Sequence, residues 1–141
     1  MRLLAFGLIF VLPLTTMAAE PDQKSLQGVW QLQEAELAGK PFPEEVRKAI
    51  KLTVKDDKYE VTAGKELDQG SLKLNGAAKP KEMDIIGTDG PNKGKTILAI
   101  YEQEGDTLRV CYDLTGTKRP TEFKSSEGTL IFLAKYMREQ K

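Results

Sequence analysis

The chain has 141 residues, with 21 lysines and arginines balanced by 21 aspartates and glutamates, and it has no histidine. This balance argues against the basic stripe of a nucleic-acid-binding protein or of a polybasic membrane-surface protein. Without histidine the chain lacks the usual general base, the Ser-His and Cys-His nucleophile pairs, and the commonest zinc and haem ligand. We therefore expect no nucleic-acid partner, no metal site and no cofactor.

The first 18 residues have the layout of an export signal. Arg2 is followed by an apolar run from Leu3 to Leu14, and Ala18 ends a small-residue pattern that suits signal peptidase. Because this run is shorter than the roughly 20 residues that a membrane-spanning helix needs, we expect a removed signal and not a permanent anchor. The mature protein is then periplasmic or extracellular, and residues 19–25 form a flexible polar leader.

After the leader, short apolar-rich segments alternate with turns, and nearly all of them have the period of two that is typical of strands. Residues 43–50 are the exception and form a predicted short helix, with Pro43 at its first position. Phe42, Val46 and Ile50 recur every four residues, which gives this helix one narrow apolar stripe. A two-turn helix is stable only when such a stripe packs on something, so we expect a lid over the open end of a barrel. The predicted strands lie at residues 26–37, 51–54, 59–62, 70–74, 82–86, 97–101, 107–112 and 129–135.

The strongest local signal is the hairpin over residues 96–112, with its turn at Gly105-Asp106. No helix of crossover length separates the strands, which indicates an antiparallel meander. We predict an all-β fold: an up-and-down, lipocalin-like barrel of about eight antiparallel strands, with one short helix after the first strand. The barrel domain spans residues 26–136, a polar tail spans residues 137–141, and the single cysteine, Cys111, is buried.

Three patterns with chemical meaning are weak. Gly94-Lys95-Thr96 resembles the end of a phosphate-binding loop, but the glycine spacing is short by one residue and Thr96 begins a strand. The loop oxygens of Asp56, Asp57, Asp89 and Asn92 do not have the spacing of a calcium loop. A carboxylate pair for acid-base chemistry would have to come from Asp84, Asp106 and Glu122, which are more typical of turn caps. We predict no enzymatic activity.

The candidate ligand-binding residues fall into two groups. Four aromatic side chains on strands point to the barrel interior: Trp30, Tyr59, Tyr101 and Tyr112. Arg119 and Glu122 lie on a long loop, where a rigid scaffold often presents binding groups. The alternative for this loop is structural, with Arg119 and Glu122 paired to each other and Phe123 folded over a barrel end.

Several spaced motifs cover nearly all of the mature chain: LQGVW at 26–30, KPK at 79–81, Asp84, GKT at 94–96, IYE at 100–102, GDTL at 105–108, Cys111 and RPTEF at 119–123. With these motifs the chain resembles a family of exported, functionally uncharacterised domains that is abundant in planctomycete bacteria. The resemblance implies a lipocalin-like barrel and leaves its role open. Gly28-x-Trp30 also resembles the opening signature of lipocalins, in which the tryptophan closes one barrel end under a late arginine, here Arg138.

The sequence favours a non-enzymatic binding module with a small apolar or amphipathic ligand held among these aromatics, beneath the lid. The alternative is a structural or interaction module of the cell envelope, with a packed barrel and loops that contact a protein partner. A cavity of a few hundred Å³ with a few convergent polar groups favours the first function, and a filled interior favours the second.

Overall fold

A computed structural model of the protein describes residues 20–140, so the predicted signal peptide, residues 1–18, lies outside the described residues. The described part contains two short helices and nine strands. In chain order they are α1 (Glu20–Ser25), β1 (Gly28–Leu37), β2 (Lys40–Pro41), α2 (Glu44–Ala49), β3 (Ile50–Lys55), β4 (Lys58–Ala63), β5 (Glu66–Asn75), β6 (Lys81–Asp89), β7 (Thr96–Glu104), β8 (Thr107–Asp113) and β9 (Ile131–Arg138).

Eight of the strands form a closed antiparallel barrel. Strands β1 and β3 to β9 follow one another around it, and β9 pairs back onto β1 from Trp30 opposite Arg138 to Leu37 opposite Phe132. The two-residue β2 pairs antiparallel with the last two residues of β1. Closure satisfies the strand edges that an open meander would expose. The predicted fold class, with α2 as the short helix after the first strand, is confirmed.

Two expected boundaries are wrong at the ends of the barrel. Where a flexible leader was expected, Glu20–Ser25 forms α1, whose length is too short to give a clear helical pattern. Strand β9 continues through Met137 and Arg138, so these residues belong to the barrel and not to a polar tail. Tyr136 continues the inward alternation of this strand, and it is almost fully buried.

One end of the barrel is closed by Trp30 and Arg138. The Trp30 side chain is fully buried, and its indole Nε1 donates to the Leu26 carbonyl at 2.9 Å. The Arg138 guanidinium lies over the indole ring, 4.3 Å from its centroid. A glycine is needed at position 28, beneath the Arg138 guanidinium, because the φ of Gly28 is +123° and an added Cβ would lie 3.3 Å from Arg138 Nη1. The expected pairing of Trp30 with Arg138 is confirmed.

Arg138 also connects three segments of the chain at this end. Its guanidinium donates to the carbonyl of Ser25 at 2.6 Å and to the carbonyl of Gln27. Its Nε donates to Asp106, in the β7–β8 turn, at 3.0 Å. One side chain thus joins β9 to α1, to the entry of β1 and to a hairpin turn.

Helix α1 completes the closed end through Asp22. The Tyr101 hydroxyl donates to Asp22 Oδ2 at 3.0 Å, and the Lys81 ammonium donates to Asp22 Oδ1 at 3.1 Å. Leu26, just after the helix, is 1% exposed and belongs to the core. These long-range contacts, and not local propensity, stabilise the six-residue helix.

The long loop after β8, residues 114–130, packs on the outside of the barrel, and we call it the outer strap. Its Arg119 forms ion pairs with Glu82, at 2.9 Å, and with Asp84. The same guanidinium donates to main-chain carbonyls of β6 and β7. Arg119 is therefore the anchor that attaches the strap to the outer face of these strands.

Further contacts cover β8 with the strap. Phe123 stacks on the Arg109 guanidinium, 4.7 Å from the ring centroid, so Arg109 points outward. Beneath the strap, Cys111 is fully buried with its Sγ 3.8 Å from the Lys124 carbonyl. The predicted burial of Cys111 is confirmed, although it lies under the strap and not in the barrel interior.

The first turn of the strap is fixed by Asp113. Its carboxylate accepts hydrogen bonds from Thr115, Thr117 and Lys118, the shortest of which is 2.6 Å. Burial alone would raise the pKa of Asp113, but these hydrogen bonds hold the pKa below its ordinary value. Asp113 is therefore a turn cap for the strap.

We expect the Arg138→Ala substitution to lower the free energy of unfolding by about 3 kcal/mol, because it removes the stack on Trp30 and several charge-assisted hydrogen bonds. Urea denaturation measures this change. The matched control is Arg109→Ala, whose outer-face contacts with Glu102 and Phe123 are worth about 1 kcal/mol or less. Equal losses in the two variants would contradict the role assigned to Arg138.

We expect the Arg119→Gln substitution to release the outer strap while the barrel stays folded. The measurement is limited trypsin digestion, and cleavage after Lys124 should be at least tenfold faster than in the unmodified protein because local opening becomes easier. Glu122→Gln is the control, since Glu122 is exposed on the same strap. Unchanged cleavage in Arg119→Gln would show that other contacts hold the strap.

Candidate functional site

The barrel interior is not filled: it contains a cavity of about 340 Å³. Trp30 and α1 close one end of the barrel. The cavity therefore opens at the other end, where β1 ends and where β3 and β7 begin. Leu37, Ile50 and Ile97 line it at these positions, and Leu108 and Met83 line it further in. Its walls are therefore mainly apolar.

The segment that carries α2 covers one side of the opening. Phe42 and Ile50, which flank the helix, line the cavity. Val46, on the helix itself, is 43% exposed, and no residue of α2 is buried. The predicted apolar stripe is thus wrong at Val46. Instead, hydrogen bonds hold the helix, because the Gln31 amide donates to the carbonyl of Arg47 at 2.9 Å.

An aromatic wall runs from this lid into the barrel. The rings of Phe42 and Phe132 stack with centroids 5.3 Å apart, and those of Phe132 and Tyr112 stack at 5.4 Å. At its inner end, the hydroxyls of Tyr112 and Tyr136 share a hydrogen bond of 3.0 Å. The wall therefore ends in a hydrogen-bonded pair of phenol hydroxyls.

A second polar group lies on β5. Asp68 accepts from the Tyr59 hydroxyl at 3.1 Å, from the Asn92 amide side chain at 2.9 Å and from the Asn92 main-chain nitrogen at 3.1 Å. Asp68, Tyr59 and Asn92 all line the cavity. These hydrogen bonds fix the carboxylate in one orientation at the cavity wall.

Two glycines allow this arrangement of Asp68 and Asn92. A Cβ at Gly70 would lie 1.9 Å from the Ile86 carbonyl oxygen, where β5 departs from its regular register with β6. A Cβ at Gly87 would lie 1.9 Å from the carbonyl oxygen of Asn92. Both positions bring main chains too close for any side chain. They let the β6–β7 loop fold down against β5.

The phenols in the cavity have raised pKa values. Burial raises the pKa of Tyr59, and the charge of Asp68 and the hydrogen bond to it raise it further. Burial is the main cause of the raised pKa of Tyr112, and the neighbouring Tyr136 and Tyr59 raise this pKa further. Burial also raises the pKa of Tyr136 to about 12. All three side chains thus stay neutral hydrogen-bonding groups around neutral pH.

Of the four candidate aromatics on the strands, Tyr59 and Tyr112 line the cavity. Trp30 and Tyr101 do not, and their expected place in a ligand pocket is corrected: they belong to the closed end, packed under Arg138 and bonded to Asp22. The period of two shows that a side chain points inward. It does not show at which end of the barrel the side chain lies.

The two loop candidates lie outside the barrel. Arg119 does not pair with Glu122, because Glu82 and Asp84 hold it on the outer face. Both residues line a shallow groove along the outer strap, away from the interior. Phe123 packs on Arg109 and not over a barrel end. The structure therefore separates these residues from the cavity.

Asp68 and Tyr136 are the site residues that the sequence analysis missed. Asp68 lies in a polar stretch that gives no alternating pattern, so nothing in the sequence indicates its inward position. For Tyr136, the alternation of Phe132, Ala134 and Tyr136 was a usable signal that continued beyond the expected strand end.

The three carboxylates considered for acid-base chemistry do not meet. Asp84 pairs with Arg119 on the outer face, Asp106 pairs with Arg138 at the closed end, and Glu122 is exposed on the strap. Within residues 20–140 no group of three or more acidic or cysteine side chains could hold a metal ion. No helix in that range is both long and apolar enough to cross a bilayer.

We expect the four tyrosines to resist ionisation in the folded protein, because the pKa of each is raised. The fold favours the neutral phenol over the ionised one. The tyrosines' contribution to the free energy of unfolding is therefore fully present below about pH 10, the ordinary tyrosine value, and is lost as the pH rises towards 12. Tyrosinate absorbance of the folded and urea-unfolded protein tests this. A folded protein that titrates like the unfolded one near pH 10 would contradict the burial described.

No protein-family model, curated protein or solved structure matches this chain. The geometry of the cavity therefore carries the functional conclusion.

Proposed function

We propose that the protein is a non-enzymatic, exported, lipocalin-like barrel that binds a small apolar or amphipathic ligand in its interior. The observation that carries this proposal is the cavity of about 340 Å³ with apolar walls and a few polar groups. A core packed for stability alone leaves few voids larger than a water molecule. The alternative, a solidly packed interaction module, is less compatible with this volume.

The size of the cavity limits the ligand. It equals the liquid volume of about eleven water molecules, at the small end of ligand pockets. A ligand that buries roughly 200–300 Å² of apolar surface there gains about 5–8 kcal/mol. Part of this gain is offset by the lost freedom of the ligand, so we expect dissociation constants in the micromolar range or weaker.

The lid supports reversible entry. Helix α2 contributes no buried residue and is held by hydrogen bonds such as the one from Gln31, so few apolar contacts hold it closed. Segments with few buried contacts open at a small fraction of the global unfolding free energy. Phe42 and Ile50 then act as the apolar edge over which a ligand enters and leaves.

A fixed hydrogen-bond acceptor at the cavity suits a binding role. Asp68 is held in one orientation there by a phenol and an amide, which leaves its carboxylate facing the space where a ligand would lie. Export is the part of the proposal that rests on the signal-like residues 1–18.

We expect the neutral, environment-sensitive dye N-phenyl-1-naphthylamine to bind the protein and to increase in fluorescence. Val61→Phe, which adds a ring to the cavity lining, should weaken this binding at least tenfold because it fills the space that the dye needs. The control is Ile86→Phe, since Ile86 is exposed outside the cavity. Urea denaturation of both variants verifies that they remain folded.

Two results would count against the proposal. One is the absence of dye binding to the unmodified protein. The other is equal binding by Val61→Phe, which would place the dye elsewhere. Native mass spectrometry of protein purified from its own host provides an independent measurement, because a retained small molecule adds a defined mass to the folded protein.

A further inference from the structure

The charges around the cavity have one sign. Among its lining residues the only charged side chains are Glu66 and Asp68, and no lysine or arginine contributes. Neither carboxylate takes part in an ion pair within the described part of the chain. The apolar interior is therefore bordered by two carboxylates that form no ion pair with a lysine or arginine of residues 20–140.

From this we infer that the ligand is an amphiphile with a protonated amine as its head group, and that the cavity disfavours the carboxylate of a fatty acid. The inference rests on the proposed function, because it names the chemistry of the ligand for the same cavity. A cation gains Coulomb energy at such a site, and an anion loses it.

The two carboxylates occupy different positions along one strand. Glu66 begins β5 at the opening and Asp68 follows two residues later, about 6.6 Å along the strand. Asp68 is held by Tyr59 and Asn92, whereas Glu66 is exposed and has no described hydrogen bond. Asp68 therefore offers a fixed acceptor inside the opening, and Glu66 offers a movable one at its edge.

Asp68 faces other groups that suit an ammonium. Tyr59, which donates to Asp68, lines the same cavity as Tyr112 and Tyr136, so the carboxylate and the tyrosine pair border the same space. The hydroxyl oxygens of this pair can accept from an ammonium that spans the space. Phe132 and Tyr112 add aromatic faces, which attract cations when water is excluded.

Competition with the bound dye by three probes of equal chain length tests the inference: decylamine, decanol and decanoate at neutral pH. We expect decylamine to displace the dye at about one tenth of the decanol concentration, which is the effect of one charge-assisted contact of about 1.4 kcal/mol. Decanoate should need at least ten times more than decanol. High salt should reduce the preference, because the opening is partly exposed to solvent.

Matched variants test which carboxylates cause the preference. Glu66→Gln and Asp68→Asn should each lower the ratio of decylamine affinity to decanol affinity by threefold or more. Glu60→Gln is the control, because it removes the same charge from an exposed position on β4, outside the cavity lining. If Asp68→Asn is unstable through loss of its bonds to Tyr59 and Asn92, the exposed Glu66 still provides the measurement.

The outcomes separate the two proposals. Decanol binding without any preference for decylamine would overturn the amine head group and leave the binding function intact. Decanoate binding that is as tight as decylamine binding, or tighter, would also overturn the amine head group and leave the binding function intact. If none of the three probes displaces the dye or binds on its own, the binding function fails and the inference fails with it.

Discussion

The stack of Arg138 on Trp30 is the contact on which the arrangement of the barrel depends. It brings the first and last strands together at their paired ends and directs the remaining arginine donors to Ser25 and Gln27. Because the guanidinium donates to main-chain carbonyls of both segments, the end can be closed without a long helix. Because one end of the barrel is closed, the interior is accessible only from the other end.

The distribution of side-chain size then decides where the empty space lies. Large, fully buried side chains such as Trp30 and Tyr101 fill the sealed end. Towards the opening, the lining includes small or polar residues such as Ala63 and Asn92, which cannot fill a barrel of eight strands. The cavity is thus a consequence of unequal filling along the barrel axis.

The sequence predicted the fold well because its strongest signals are local. The hairpin from Thr96 to Asp113 combines buried alternating residues with a turn glycine, and both determine their structure without distant contacts. Helix α1 and the start of β5 were not predictable in this way. The helix depends on Tyr101 and Lys81, about 60 to 80 residues away in sequence, and Asp68 depends on Asn92. All four candidate aromatics point inward, but two of them line the cavity, since alternation specifies a face and not a depth.

The residues that the pattern concealed are also the ones that give the cavity its chemical character. A carboxylate at the wall of an apolar cavity costs stability, and an apolar residue of similar volume would often be neutral or more stable there. Asp68 offsets part of this cost by three hydrogen bonds from Tyr59 and Asn92, but these leave its negative charge in place. Stability alone therefore does not explain the charge. A cationic ligand would explain it, since it gains from a carboxylate that forms no ion pair within residues 20–140.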